Sequence, residues 1–215
     1  MWFIATEQSG IAEKTVVFGG TFDPVHQGHI TAANSVSKLL GDIPVRMMLA
    51  GKPRLRDSAP VSSQHRWHML QLACAGEVNL IPDNTEIQTD VETHTIDTVE
   101  ILGGERKKPV ILALGDDAVA HLRRWVRYES ICDKTSIIIL KRTNACLRSV
   151  YHDFELVDVP NDLWVEGGRI YVSTDPVVEI SASTVRDRIR QRKSVERWIH
   201  PAVYAYIIDT HLYQT

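Results

Sequence analysis

The 215-residue sequence predicts a single α/β domain built on a doubly wound, mostly parallel sheet. Three observations predict it. Short apolar runs alternate with helix-periodic stretches along the whole chain. Most of these runs are apolar at nearly every position, as strands covered on both faces are. The first run ends in a glycine-rich turn, and such sheets bind ligands at the carboxyl ends of their strands.

TVVFGG (15–20), VRMMLA (45–50), VNLI (78–81), PVILALG (109–115) and SIIILK (136–141) read as strands, with RIYV (169–172) a sixth. Ala32, Val36, Leu39 and Leu40 fall at i, i+4, i+7 and i+8, one face of a helix over 29–40. Ser62 or Ser63 caps a helix running through QHRWHMLQLAC (64–74). THTIDTVEIL (93–102) and DDAVAHL (116–122) supply two more, and SASTVRDRIRQR (181–192) another. PAVYAYIIDTHL (201–212) carries Pro201 at its first helical position. Residues 142–168 read as a loop-rich excursion. No break in composition divides the chain, so one domain over 1–215 is expected.

Composition narrows the function. The chain is 44% apolar and 24% charged, ordinary for a soluble globular protein. A net charge of -3 argues against a protein whose main work is gripping nucleic acid. Cys74, Cys132 and Cys146 show no CxxC spacing and cannot all pair, which fits a reduced, cytoplasmic setting. MWFIATEQSG does not read as a signal peptide, and no run reaches the roughly 18 apolar residues of a membrane span. A homo-oligomer is compatible with the sequence, which does not set the oligomeric state.

The chemistry concentrates in GGTFDPVHQGH (19–29). Gly19 and Gly20 let backbone approach a ligand with no Cβ between, and Gly28 allows the same closeness at the helix start. His26 and His29, three apart, lie on one face of the first helical turn. The helix N-terminus adds unpaired N–H groups and a partial positive charge, so the place suits phosphate. Neither GxGxxG nor GxxxxGK[ST] is present. A metal half-site or plain polar loop residues are the competing reading of two histidines near glycines.

The stretch resembles the signature of the nucleotidylyltransferase superfamily, Rossmann-like proteins with [HT]xGH after the first strand. Its longer form resembles nicotinate-nucleotide adenylyltransferases in particular. ISASTVR (180–186) resembles the family's IS[ST]TxxR motif; by itself it would read as a serine-capped helix. The resemblance implies attack of a mononucleotide phosphate on the α-phosphorus of ATP, with pyrophosphate released. Such a transfer asks for positioning and charge stabilisation more than covalent catalysis. His26, His29 and Arg186 are then the catalytic set, with His29 stabilising the developing charge. Gly19, Gly20, Thr21, Phe22 and Gly28 would lie along ATP. Ser181, with Ser183 or Thr184 at the helix start, would meet the β/γ-phosphates, which Arg186 would also reach. LGDDA (114–118) resembles the family's GxD segment, which implies Gly115 and Asp117 on the adenosine ribose; Asp116 or Asp117 also suits a helix cap. Mg²⁺ is expected to arrive with the substrate.

On the acceptor side the resemblance implies Thr95, in THTIDTV, facing a pyridine carboxylate. Trp125, in RRWVRYESI, would stack on the ring, with a core tryptophan as the competing reading. Arg142, in LKRTN, is the family's basic residue after the fifth strand. The chain departs from the pattern twice. AGKPRLRDS (50–58) keeps Pro53 but has Arg54 and Leu55 where proline and histidine usually stand. Lys52, Arg54 and Arg56 still make this loop cationic enough to meet the mononucleotide phosphate. Val126 stands where tyrosine is common, which leaves acid or amide on the ring open. His65 and His68 share a helix face with no third metal ligand, and RDRIRQRK (186–193) reads as a solvated face. Nicotinate mononucleotide is the expected acceptor. Nicotinamide mononucleotide, a pantetheine phosphate, or a nucleotide-binding regulatory role without turnover are the alternatives.

Overall fold

The apolar runs form strands because most of them can bury both faces. A computed structural model describes residues 14–51, 59–88, 93–104, 108–142, 147, 150–175, 178 and 180–214. Seven strands, β1 (Thr15–Gly20), β2 (Val45–Leu49), β3 (Leu80–Asp83), β4 (Val110–Gly115), β5 (Thr135–Leu140), β6 (Glu155–Leu156) and β7 (Arg169–Ser173), share one sheet. Their order is β3-β2-β1-β4-β5-β7-β6, and every neighbouring pair is parallel. Val16, Phe18, Met47 and Ile138 point into one core, and Val17, Met48, Ile137 and Ile139 into another on the opposite face. The first core is closed by α1 (Gln27–Leu39), α2 (Ser63–Cys74), α6 (Ala182–Arg190) and α7 (Pro201–Asp209). The second is closed by α3 (Thr95–Gly103), α4 (Asp116–Val119) and α5 (Tyr128–Lys134). Helices on both faces make the sheet doubly wound, as predicted. Among the described residues, no helix is long and apolar enough to cross a membrane.

Several boundaries move for local reasons. Ser62, not Ser63, caps α2, accepting from the His65 N–H at 3.3 Å. The third strand starts two residues later than expected, because Leu80 pairs with Val45 of β2 and leaves Val78 93% exposed. DDAVAHL does not form one helix: α4 stops at Val119 and a 3₁₀ turn follows at Leu122–Arg124. Helix α5 was not predicted. Its seven residues are too few for a periodic pattern, and it forms by packing Tyr128, Ile131 and Cys132 onto the second core. The excursion 142–168 contains β6 and a 3₁₀ turn at Pro160–Leu163. A two-residue strand carries no sequence pattern and forms by pairing with β7.

One buried cation organises the carboxyl edge of the sheet. Arg66 of α2 is 2% exposed. Its Nη1 donates to the carbonyls of Thr21 (3.0 Å) and Ala50 (2.8 Å), Nη2 to Gly51 (3.2 Å) and Nε to Val61 (3.1 Å). Three chain segments thus turn around one guanidinium. Arg66→Met keeps most of the apolar stem and removes the donors. It should lower unfolding free energy by at least about 3 kcal/mol, since one hydrogen bond to a charged group contributes about 1.5–3 kcal/mol. Urea denaturation measures this. A loss below about 1 kcal/mol would mean that water replaces the guanidinium.

Candidate active site

Strand β1 ends where its neighbours β2 and β4 lead to opposite faces of the sheet, so a crevice opens beyond its last residues. Gly19 has open space where a Cβ would stand. A Cβ on Gly20 would meet the Phe22 ring at 2.6 Å, so this glycine admits the phenyl group. Phe22 itself adopts a positive φ of 49° and is fully buried. The chain then passes a cis Asp23–Pro24 bond and reaches His26, the extended N-cap of α1. His26 is therefore not on the first helical turn, as the spacing suggested. It still meets His29, because an N-cap and the residue three later face each other: their rings stack at 3.6 Å. The space above Gly28 is already taken. A Cβ there would meet His26 Nδ1 at 3.0 Å and the Val178 carbonyl at 3.1 Å, so this glycine serves the histidine ring.

The stack defines a donor. The His26 N–H donates to His29 Nδ1 at 3.2 Å. In a neutral ring this places the His29 proton on Nε2. Phe22 meets the same ring edge-on at 5.0 Å, which limits its rotation. His26 is 3% exposed, and burial, reinforced by the charge of Arg142, lowers its pKa from 6.5 to about 4. The α1 terminus is less open than expected, because the Gln27 N–H is taken by the Trp198 carbonyl at 2.7 Å.

The crevice has two lobes. The larger, about 710 Å³, runs from Gly19, Gly20, Thr21, Gly28 and the histidines to Gly115 and Asp117 after β4. It ends at Ser181, the cap of α6, whose Oγ accepts from the Thr184 N–H at 3.1 Å. The smaller, about 250 Å³, is lined by Met48, Glu86, Thr95 and Thr98. Both share Gly19, Gly20, Thr21 and Trp125. Trp125 is half-buried, packed on the second core and facing both lobes. Thr95 is the first residue of α3, and the Asp97 carboxylate accepts from the His94 N–H at 2.8 Å to close that helix start. Among the described residues, no trio of His, Cys, Asp or Glu stands together as a metal site.

Several expected site residues stand elsewhere. Phe22 lies behind the crevice, braced on His29. Ser183 and Thr184 are inside the first turn of α6 rather than at its cap, and their hydroxyls lie 2.9 and 2.7 Å from Ser181 Oγ. Arg186 does not line either lobe; its Nη1 donates to the Asp23 carbonyl at 2.7 Å. Arg142, assigned from sequence to the acceptor, lines the larger lobe and pairs with Asp117 at 2.6 Å. The two sit side by side at the ends of β5 and β4, which are adjacent strands. Lys52, Arg54 and Arg56 lie outside the described residues. Sequence reasoning missed Asp23, Glu86 and Arg66. The signal for Arg66 existed: Met69, Leu70 and Ala73 at i+3, i+4 and i+7 put it on the apolar face of α2. Glu86 accepts from the Gly51 N–H (3.2 Å) and Thr98 hydroxyl (2.9 Å), and burial raises its carboxyl pKa.

Known proteins resemble this chain in sequence and in fold. A family model described as cytidylyltransferase-like matches residues 17–188. A protein of Pectobacterium atrosepticum, "Probable nicotinate-nucleotide adenylyltransferase", is 32% identical over 93% of this chain and 98% of its own. The "Nicotinate-nucleotide adenylyltransferase" of Escherichia coli O6:H1 is 30% identical over 92% of this chain and 97% of its own. The chain belongs to the cytidylyltransferase-like family, with the nicotinate-nucleotide adenylyltransferases. In fold it is similar to the nicotinic acid mononucleotide adenylyltransferase of Plasmodium falciparum, solved with NaAD. That likeness has a TM-score of 0.71 at 18% identity, covering 94% of this chain and 97% of the other.

Burial of His26 has a measurable consequence. Unfolded, its imidazole binds a proton near pH 6.5; folded, it does so only near 4. Its contribution to stability is full above pH 6.5 and is lost as pH falls to 4, by roughly 3 kcal/mol. Ring NMR signals should show His26 neutral at pH 5.5. A titration midpoint above 6 would remove the buried neutral ring from the site.

Proposed function

We propose that this chain transfers AMP from MgATP to nicotinate mononucleotide, giving deamido-NAD and pyrophosphate. The observation that carries the proposal is the pair of unequal lobes that meet on Gly19–Thr21 beside His29. The larger suits a nucleotide triphosphate and the smaller a pyridine ring. The names of the 30–32% identical relatives support the same reading.

In this reading a 5′-phosphate oxygen of the mononucleotide attacks the α-phosphorus of ATP. One P–O bond forms, the bond to the β-phosphate bridge breaks, and pyrophosphate leaves. The protein supplies geometry and charge rather than a nucleophile. His29 Nε2–H donates to an α-phosphate oxygen as charge grows there. His26 stays neutral, so its role is to hold the His29 ring and contact phosphate as a dipole. The N-terminus of α6 and the hydroxyls around Ser181 meet the β/γ-phosphates. Asp117, braced by Arg142, retains lone pairs for ribose hydroxyls. Magnesium travels on the phosphates. Lys52, Arg54 and Arg56 remain assigned to the mononucleotide phosphate on charge grounds. The cytoplasmic setting belongs to the same proposal; Cys74 and Cys132 are free, buried thiols.

The acid form of the ring is favoured by donors. Thr95 and the N-terminus of α3 suit a carboxylate. The amide alternative rests on Glu86, an acceptor in the same lobe. Both of its oxygens already accept hydrogen bonds, from the Gly51 N–H and the Thr98 hydroxyl.

Two measurements test the proposal. His29→Ala should lower kcat by at least about 100-fold, the scale for losing one preorganised donor to a developing charge. Near wild-type turnover would take His29 out of the mechanism. Pyrophosphate release with ATP and a panel of acceptors should give a kcat/KM at least about tenfold higher for nicotinate than for nicotinamide mononucleotide, because a turned amide leaves a donor unpaired. Equal values, or turnover only with a pantetheine phosphate, would defeat the acceptor assignment.

A further inference from the structure

The turn that carries the histidines is held from beneath by one carboxylate. Asp23 is 2% exposed. Its Oδ1 accepts from the Tyr213 hydroxyl at 2.7 Å and from the Val61 N–H at 3.3 Å. Its Oδ2 lies 3.5 Å from Arg186 Nη1, the same nitrogen that donates to its main-chain carbonyl. Three segments distant in sequence, 59–61, α6 and the turn after α7, thus converge on the residue that follows Phe22. That turn is held in an unfavourable backbone shape: His211 and Tyr213 have φ of 56° and 62°, the left-handed region that side chains rarely adopt. Non-glycine residues stay there when their surroundings hold them. Tyr213 also packs against the first core, so its ring is anchored independently of its hydroxyl.

We propose that Tyr213 is a positioning residue for His29, acting through its hydrogen bond to Asp23 and so fixing the turn on which Phe22 and the histidine pair stand. The inference rests on the adenylyl-transfer reading for its kinetic consequence. Asp23 is joined to Phe22, and Phe22 meets the His29 ring edge-on at 5.0 Å. Removing the hydroxyl leaves a buried carboxylate oxygen with one fewer donor, and the turn can relax toward Arg186. Burial and the neighbouring carboxylate push the Tyr213 hydroxyl well above the ordinary phenol range, so it remains a donor at all working pH. A small displacement is enough, because misplacement by about 1 Å can lower a rate on the order of 100-fold.

The test is Tyr213→Phe, which keeps the ring and deletes only the hydroxyl. The kcat should fall about tenfold, while KM for the mononucleotide, which binds in the other lobe, changes less than about twofold. The ring NMR signals of His26 and His29 should shift, and the effect of Tyr213→Phe should vanish in an Asp23→Ala background, which lacks the acceptor. Wild-type kinetics with unmoved histidine signals would overturn the proposal. So would a variant that unfolds, or one whose losses simply track the fraction of folded protein, since either marks a purely structural role. If the wild type makes no dinucleotide at all, the adenylyl-transfer reading fails, and the histidine signals still decide the role of Tyr213.

Discussion

The carboxyl edge of the sheet depends on the buried guanidinium of Arg66. Thr21, Ala50, Gly51 and Val61 all turn their carbonyls onto it. Unpaired, each would carry a desolvation penalty of about 1–3 kcal/mol. Arginine suits the place because its fork of fixed donors can serve several acceptors at once, which a lysine ammonium does less well. The carbonyl dipoles in turn replace the water that the cation has lost. The turn after β1 therefore has its shape before any ligand arrives, and the histidines inherit that order.

Within the site, short-range arrangement outweighs long-range field. The α1 terminus looks like the main anion site from sequence, yet its first N–H is engaged by Trp198. The donor that remains well defined is His29, whose tautomer is set by one 3.2 Å hydrogen bond from the His26 main chain. Desolvation disfavours the charged form of His26, so the two stacked rings are not both cations. Charge is placed at the rim instead, in the exposed Asp117–Arg142 pair. Such a pair contributes under about 1 kcal/mol to stability, so its value is in orienting groups.

The smaller lobe is assembled from elements that no single motif joins. Thr95 heads α3, Trp125 precedes α5, and Glu86 lies in a 3₁₀ turn after β3. Arg127, next but one to Trp125, forks onto Glu100 of α3 at 3.0 and 2.6 Å. That contact ties the tryptophan segment to the threonine helix across the lobe.

Six strands and the histidine turn could be read directly from the chain. Unbroken apolar runs suit strands buried on both faces, and Gly20 and Gly28 mark places where a Cβ would obstruct a phenyl or an imidazole ring. Helix α5 and strand β6 could not be read, because elements of seven and two residues take their stability from what they pack or pair against. The same reason separates the site residues. His26 and His29 meet through local geometry that spacing encodes. Arg142 meets Asp117, and Arg186 meets Asp23, only because the sheet order brings distant segments together, and a charged side chain takes whichever partner burial and distance leave it.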